Sequence, residues 1–268
     1  MNKETLIKHI KNRQSFLCVG LDTDLNKIPS FLLTEEDPIF EFNKAIIDAT
    51  RDLCVAYKPN TAFYERYGAK GWQSLQKTIE YIGNEHFIIA DAKRGDIGNT
   101  SKMYAEAFFT NMNCDAVTIA PYMGYDSVQP FLAFSDKWAV ILALTSNPSA
   151  EEFETQLLEN NEYLFERVIK TAINWGDHIM FVVGATRPEM IKKIRTIIPN
   201  HFLLVPGLGA QGGSLSEVCK YGLNNEVGLL INSSRKIIYA GKNEDFAQKA
   251  REEALKIQKE MCNLITKI

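Results

Sequence analysis

The stretch DAKRGD puts Asp91, Lys93 and Asp96 close together in the chain. Residues two apart on a strand point to the same side, so Asp91 and Lys93 are expected to be neighbours. Asp96 comes after Arg94 and Gly95, where the chain reads as a loop. A carboxylate next to an ammonium can orient it and keep it charged, and a fixed ammonium can stabilise negative charge or deliver a proton. Asp22 and Lys58 each close an earlier apolar run and extend the set to an alternating array of carboxylates and ammonium groups. A single D-x-K pair has a plain reading as a structural ion pair. Burying charge costs several kcal/mol per ion unless it is neutralised. Charges of both signs gathered at one place are hard to justify by stability, so the array points to a reacting centre.

A second group of residues suits an anion. PGLGAQGG carries Gly207, Gly209, Gly212 and Gly213, which let the backbone come close to a ligand and offer several N–H donors. Arg235 closes a later run and adds a two-pronged donor for phosphate oxygens, against a plain reading as one half of a surface salt bridge. Thr145, Ser146 and Asn147 precede Pro148; they form either a turn with an N-cap or hydrogen bonds to a polar ring edge.

These residues need a scaffold that gathers strand ends, and the chain supplies one. Apolar or β-branched runs occupy 16–22, 54–60, 86–93, 116–121, 138–147, 178–186, 201–209 and 227–235, each followed by helical periodicity. About eight βα units in 268 residues fit one (β/α)8 TIM barrel, a single domain over 1–268 whose chemistry sits at the C-terminal ends of the strands. A doubly wound open sheet is the alternative. Helices are expected at EFNKAIIDATRDL, GWQSLQKTIEYIG and TSKMYAEAFFTN, as one long helix over EEFETQLLENNEYLFERVIKTAINWG, and from Asn243 to about Thr266. Gly83 and Gly176 are the expected stops. His86, His178 and His201 open their runs and so fall at the opposite face. That takes histidine out of the site and disfavours a Ser-His-Asp triad or a His-rich metal cluster.

Composition narrows the function classes. A hydrophobic share of 46% and a charged share of 24% are those of a globular protein, with no apolar run long enough to span a membrane and no signal-peptide core. The chain is therefore expected in the cytoplasm. A net charge of -3 offers no footprint for nucleic acid. Cys18, Cys54, Cys114, Cys219 and Cys262 form no CxxC pair and are expected to be reduced, mostly buried thiols.

Read in order, GLDTD, AYKPN, DAKRGDIGNT, LTSN, PGLGAQGG and SSR closely resemble the motifs of orotidine 5'-monophosphate decarboxylases, from about Gly20 to Arg235. DAKRGDIGNT with KPN upstream is similar to the bacterial subgroup with longer chains. The resemblance implies decarboxylation of orotidine 5'-monophosphate to uridine 5'-monophosphate, the last step of de novo UMP synthesis, with no cofactor and no metal. It makes Lys93 the proton donor to C6, sets Asp91 beside the departing carboxylate, and completes a charged tetrad with Lys58 and Asp96. It also implies that Asp22 and Lys58 hold the ribose, Ser146 bonds the pyrimidine edge, Pro206 packs on the base, and Gln211 and Arg235 take the phosphate. Ser234 stands where the family often has glycine, and its backbone N–H can still donate. Ile97 and Thr100 would line the site of a neighbouring subunit, and Asp96, already leaving the barrel mouth, would join them in a homodimer with shared sites. Two rivals differ in kind. One is a magnesium-dependent keto-sugar-phosphate decarboxylase or aldolase of the same barrel superfamily. The other is a non-catalytic phosphoribosyl-binding barrel, which would have no reason to keep Asp91, Lys93 and Asp96.

Overall fold

Each apolar run forms a short strand buried on both faces, as a parallel sheet wrapped by helices requires. In the computed structural model, which describes residues 1–207 and 213–266, the strands are β1 (Leu17–Gly20), β2 (Ala56–Lys58), β3 (Phe87–Arg94), β4 (Ala116–Ile119), β5 (Trp138–Leu144), β6 (Ile179–Val183), β7 (Leu203–Val205) and β8 (Leu229–Ser233). They pair in parallel in sequence order, and β8 closes on β1. The expected TIM barrel is therefore present. Most strands are shorter than the runs, for a local reason in two cases: β2 stops at Lys58 before Pro59 and β7 at Val205 before Pro206, and proline has no N–H for the ladder.

The helices cover the barrel with their apolar faces. Pro38–Thr50 begins a turn before the expected segment because Asp37 accepts the Phe40 N–H and Pro38 occupies the first turn. It buries Ile39, Phe42, Ile46 and Ile47. Phe42 stacks on Phe246 at 5.2 Å, which docks the closing helix Phe246–Ile265. Burying such a side chain contributes roughly 1.5–3 kcal/mol. Gly83, at φ 71, ends Gly68–Ile82 as expected.

The long helix expected after Pro148 is not formed. A 3-10 turn, Pro148–Glu152, is followed by irregular chain, and the helix proper is Leu164–Ala172, ended by Ile173 and not by Gly176. Asn161 takes a left-handed conformation (φ 58), Leu157 pairs with Tyr163 across the turn, and Glu154 is drawn away to Thr145. Asn side chains compete locally with helical hydrogen bonds, which the apolar periodicity alone did not reveal. All five cysteines are free, and four are buried. No helix among the described residues is long and apolar enough to cross a membrane.

The three histidines sit at the strand starts, away from the charged array. Trp138 packs edge-on to His178 at 5.5 Å and Phe181 on His201 at 5.9 Å. His86 bonds the Arg51 carbonyl through Nε2 at 2.8 Å, while Nδ1 is buried without a partner among the described residues. Burial pushes its pKa down to about 4. Between pH 6.5 and 4 the unfolded chain binds the proton and the folded chain does not, so this residue's contribution to stability falls as pH drops through that window. The loss is about 3 kcal/mol at the acid end. His86→Gln is expected to flatten the fall in thermal stability between those pH values; an unchanged slope would assign it to other groups.

Candidate active site

Of the charged residues expected at the barrel mouth, Lys58, Asp91 and Lys93 meet there. Lys58, at the end of β2, places Nζ 2.7 Å from Asp91 Oδ2, and Lys93 places Nζ 2.6 Å from Asp91 Oδ1. Burial works against the Lys58 ammonium, but the Asp91 and Asp22 carboxylates outweigh it and hold its pKa above the usual value. Burial likewise disfavours the Asp91 carboxylate, and Lys58 and Lys93 outweigh it, keeping Asp91 well below the ordinary carboxylate range. Lys58 and Asp91 are therefore both charged at neutral pH.

Asp91 and Lys93 are neighbours as expected, but not through regular strand alternation. The pairing of β3 with β4 slips between Ala90 and Arg94, and Lys93 adopts a left-handed backbone at φ 46. For a non-glycine residue that conformation costs about 1–2 kcal/mol. The contacts around it hold it in place. Thr118 of β4 accepts the Lys93 N–H at 2.9 Å and donates to Asp91 Oδ1 at 3.0 Å. Arg94 pairs with Glu65 and lies over the rings of Tyr104 and Phe108.

Asp22 lies just past β1 in a loop held by two tyrosines. Tyr64 donates to the Leu21 carbonyl at 2.9 Å and Tyr239 to the Asp22 carbonyl at 2.7 Å. Asn43, bonded to both Thr23 and Tyr64, braces the loop from below. These contacts fix the backbone, while the buried Oδ1 of Asp22 has no partner among the described residues.

Asp22, Lys58 and Asp91 line a cavity of about 170 Å³ together with Pro206, Gly207, Ser234 and Arg235. Arg235 opens the short helix Arg235–Ile238 instead of ending β8, because the backbone turns out of extended geometry at Ser234 (ψ -89). It is exposed and makes no ion pair among the described residues, so the plain salt-bridge reading fails. Ser234 fits because its neighbour is Gly20: a Cβ there would lie 2.7 Å from Ser234 Cβ. Gln211, Gly209 and Gly212 lie outside the described residues.

Lys93 reaches this cavity only through Asp91, and Lys93, Asp96, Ile97, Thr100 and Ser146 are not among its lining residues. Asp96 Oδ1 accepts the next residue's N–H, from Ile97 at 2.8 Å, and Ile97 is 53% exposed at the start of Gly98–Glu106, the helix that carries the exposed Thr100. Ser146 is half-buried, and its backbone rests against Gly184, where a Cβ would come within 2.9 Å. Thr145 donates its hydroxyl to Glu154 at 2.9 Å. Asn147 sits at the N-cap position without a side-chain cap bond.

Comparison with known proteins shows the family. Residues 15–250 match the Orotidine 5'-phosphate decarboxylase / HUMPS family. The chain belongs to that family. An orotidine 5'-phosphate decarboxylase of Flavobacterium johnsoniae is 62% identical over 270 residues, covering 99% of this chain and 98% of the relative. One from Bacteroides fragilis is 56% identical over 273 residues, with 100% of both chains covered. The solved OMP decarboxylase of Leishmania donovani superposes with a TM-score of 0.81 at 35% identity, over 96% of this chain and 99% of that one.

Against the family's motifs, sequence reasoning overlooked several residues at this mouth. Thr118 and Asn232 are polar residues within the apolar runs AVTIAP and VGLLINSSR, which was the available signal. Asn232 is buried, lines the cavity and leaves Oδ1 without a partner among the described residues. Asn60 and Lys236 also line it; Asn60 lies in the KPN motif, and Lys236 follows Arg235 with nothing local to mark it.

Proposed function

We propose how this barrel carries out decarboxylation of orotidine 5'-phosphate to uridine 5'-phosphate, the activity that family membership gives the chain and the last step of de novo UMP synthesis. The observation that carries the proposal is the ion-paired series Lys58, Asp91 and Lys93, whose Lys58 and Asp91 line one cavity with Asp22 and with an Arg235 that makes no ion pair among the described residues. Losing carbon dioxide from C6 of the pyrimidine leaves a carbanion with no adjacent electron sink, so negative charge must be stabilised electrostatically. The Lys93 ammonium does this and then delivers its proton to C6. Asp91 keeps Lys93 charged and oriented. Asp22 and Lys58 hold the ribose hydroxyls, Pro206 packs on the base, and Arg235 takes the phosphate with Gln211 and the Ser234 N–H. Ser146 bonds the pyrimidine edge. The reaction is cofactor-free and metal-free, runs within the one barrel domain, and takes place in the cytoplasm.

Asp96, Ile97 and Thr100 act in the site of a second subunit. Support comes from the apolar surface beside them. Ile97, Met103, Tyr122, Met123 and Tyr125 are all exposed, on or beside the helices Gly98–Glu106 and Tyr125–Leu132, which pack together. Large apolar side chains grouped on a surface mark an interaction site.

An ultraviolet assay of orotidine 5'-phosphate with excess chelator tests the reading. Chelator-resistant loss of the orotate chromophore is expected. No turnover would sink the assignment, and turnover that stops with chelator would favour a magnesium-dependent barrel. Arg235→Ala is expected to weaken binding of the nucleotide by about 10- to 100-fold, the size of a lost charge-assisted contact. Binding of the nucleoside without phosphate should change little; equal losses for both would place the phosphate elsewhere.

A further inference from the structure

We infer that Thr118 is the positioning residue that sets the Lys93 ammonium in place. The inference rests on Lys93 being the proton donor. Pairing between β3 and β4 is regular through Ala90 and Val117 and resumes at Arg94 and Ile119. Between those pairs, Asp91, Ala92 and Lys93 stand opposite Thr118 alone. A strand with extra residues bends and leaves groups without ladder partners. Thr118 supplies the missing partner with its side chain: Oγ1 accepts the Lys93 N–H at 2.9 Å, where the backbone has turned to φ 46.

An accepted N–H decides where the hydroxyl proton goes. Thr118 has one proton to give, and it points to Asp91 Oδ1 at 3.0 Å, the same oxygen that receives Lys93 Nζ at 2.6 Å. Lys93 is thus held at both ends of its side chain, through its amide and through its ammonium, by contacts that converge on one hydroxyl. Thr118 is 1% exposed, so water has little access to replace it. The residue touches neither the cavity nor the reacting atoms, and it acts only through Lys93 and Asp91.

Thr118→Val keeps the shape and the β-branch but removes both hydrogen bonds; Thr118→Ser keeps the bonds and removes the methyl. With orotidine 5'-phosphate as substrate, valine is expected to lower kcat about 10- to 100-fold, the cost of misplacing a reacting group by a fraction of an ångström to 1 Å, with KM within about threefold. Serine should stay within about threefold of the parent in kcat. Hydrogen exchange at the Lys93 amide gives an independent readout: faster by about tenfold or more with valine and near the parent rate with serine. Thr118→Ala carries the expectations of valine should valine prevent folding. Parent-like kcat without the hydroxyl, a serine variant as impaired as valine, or unchanged exchange would each overturn the inference. If Lys93→Ala kept its turnover, the proton-donor assignment would fall instead, while the amide exchange would still report whether Thr118 holds the bend.

Discussion

Replacing Lys93 by alanine is expected to lower kcat by on the order of 10⁴-fold or more while much of the nucleotide affinity survives. Two contributions vanish together: the fixed positive charge next to the developing carbanion, and the proton that quenches it. A positioned general acid contributes typically about 10²–10⁴-fold, and one preorganised electrostatic contact about 10²–10³-fold. Here the two cannot simply be multiplied, because they belong to one group. Affinity depends on other residues, the phosphate on Arg235 and the ribose on Asp22 and Lys58. Asp91 would still accept from Lys58 at 2.7 Å and Thr118 at 3.0 Å, so the carboxylate keeps partners and the barrel is expected to fold. Measuring kcat together with product binding separates chemistry from affinity. A near-normal kcat in this variant would reject Lys93 as the proton donor.

Mixing two inactive variants is expected to restore activity if the sites are shared. A Lys93→Ala chain lacks the donor, and an Asp96→Ala chain lacks the carboxylate it lends to its partner. In a mixed two-fold dimer, one site combines the intact Lys93 of one subunit with the intact Asp96 of the other, and the second site carries both defects. Random exchange gives half mixed dimers, so about a quarter of all sites are whole. Among the described residues the Asp96 carboxylate accepts the N–H of Ile97 and its carbonyl accepts the Ser101 hydroxyl, so Asp96 is tied to the start of Gly98–Glu106, which motivates the test. The recovered activity should grow with time of subunit exchange and saturate near that fraction. If verified mixed dimers recover nothing while both parents are inactive, Asp96 serves its own subunit.

Much of the molecule is legible along the chain because it depends on short-range order. Eight apolar runs separated by helical periodicity imply a parallel barrel, and a barrel sends strand ends to one mouth, so the addresses of Asp22, Lys58, Asp91 and Lys93 follow from the order of residues. The DAKRGDIGNT and PGLGAQGG motifs carried the family with them. Other features depended on partners distant in sequence. Periodicity favoured one helix from Glu151 to Gly176, but Glu154 turns back to Thr145 and Asn161 takes a left-handed turn, and neither contact has a periodic signature. The alternation rule put Lys93 beside Asp91, yet their meeting depends on a slip in register against β4 and on Thr118, 27 residues from Asp91. Likewise Gly20 makes room for Ser234 across the closure of β1 on β8, a contact between the two ends of the barrel that exists only once it closes. Local sequence sets which backbone shapes are favourable; which buried donor finds which acceptor is decided by the packing that brings distant strands together.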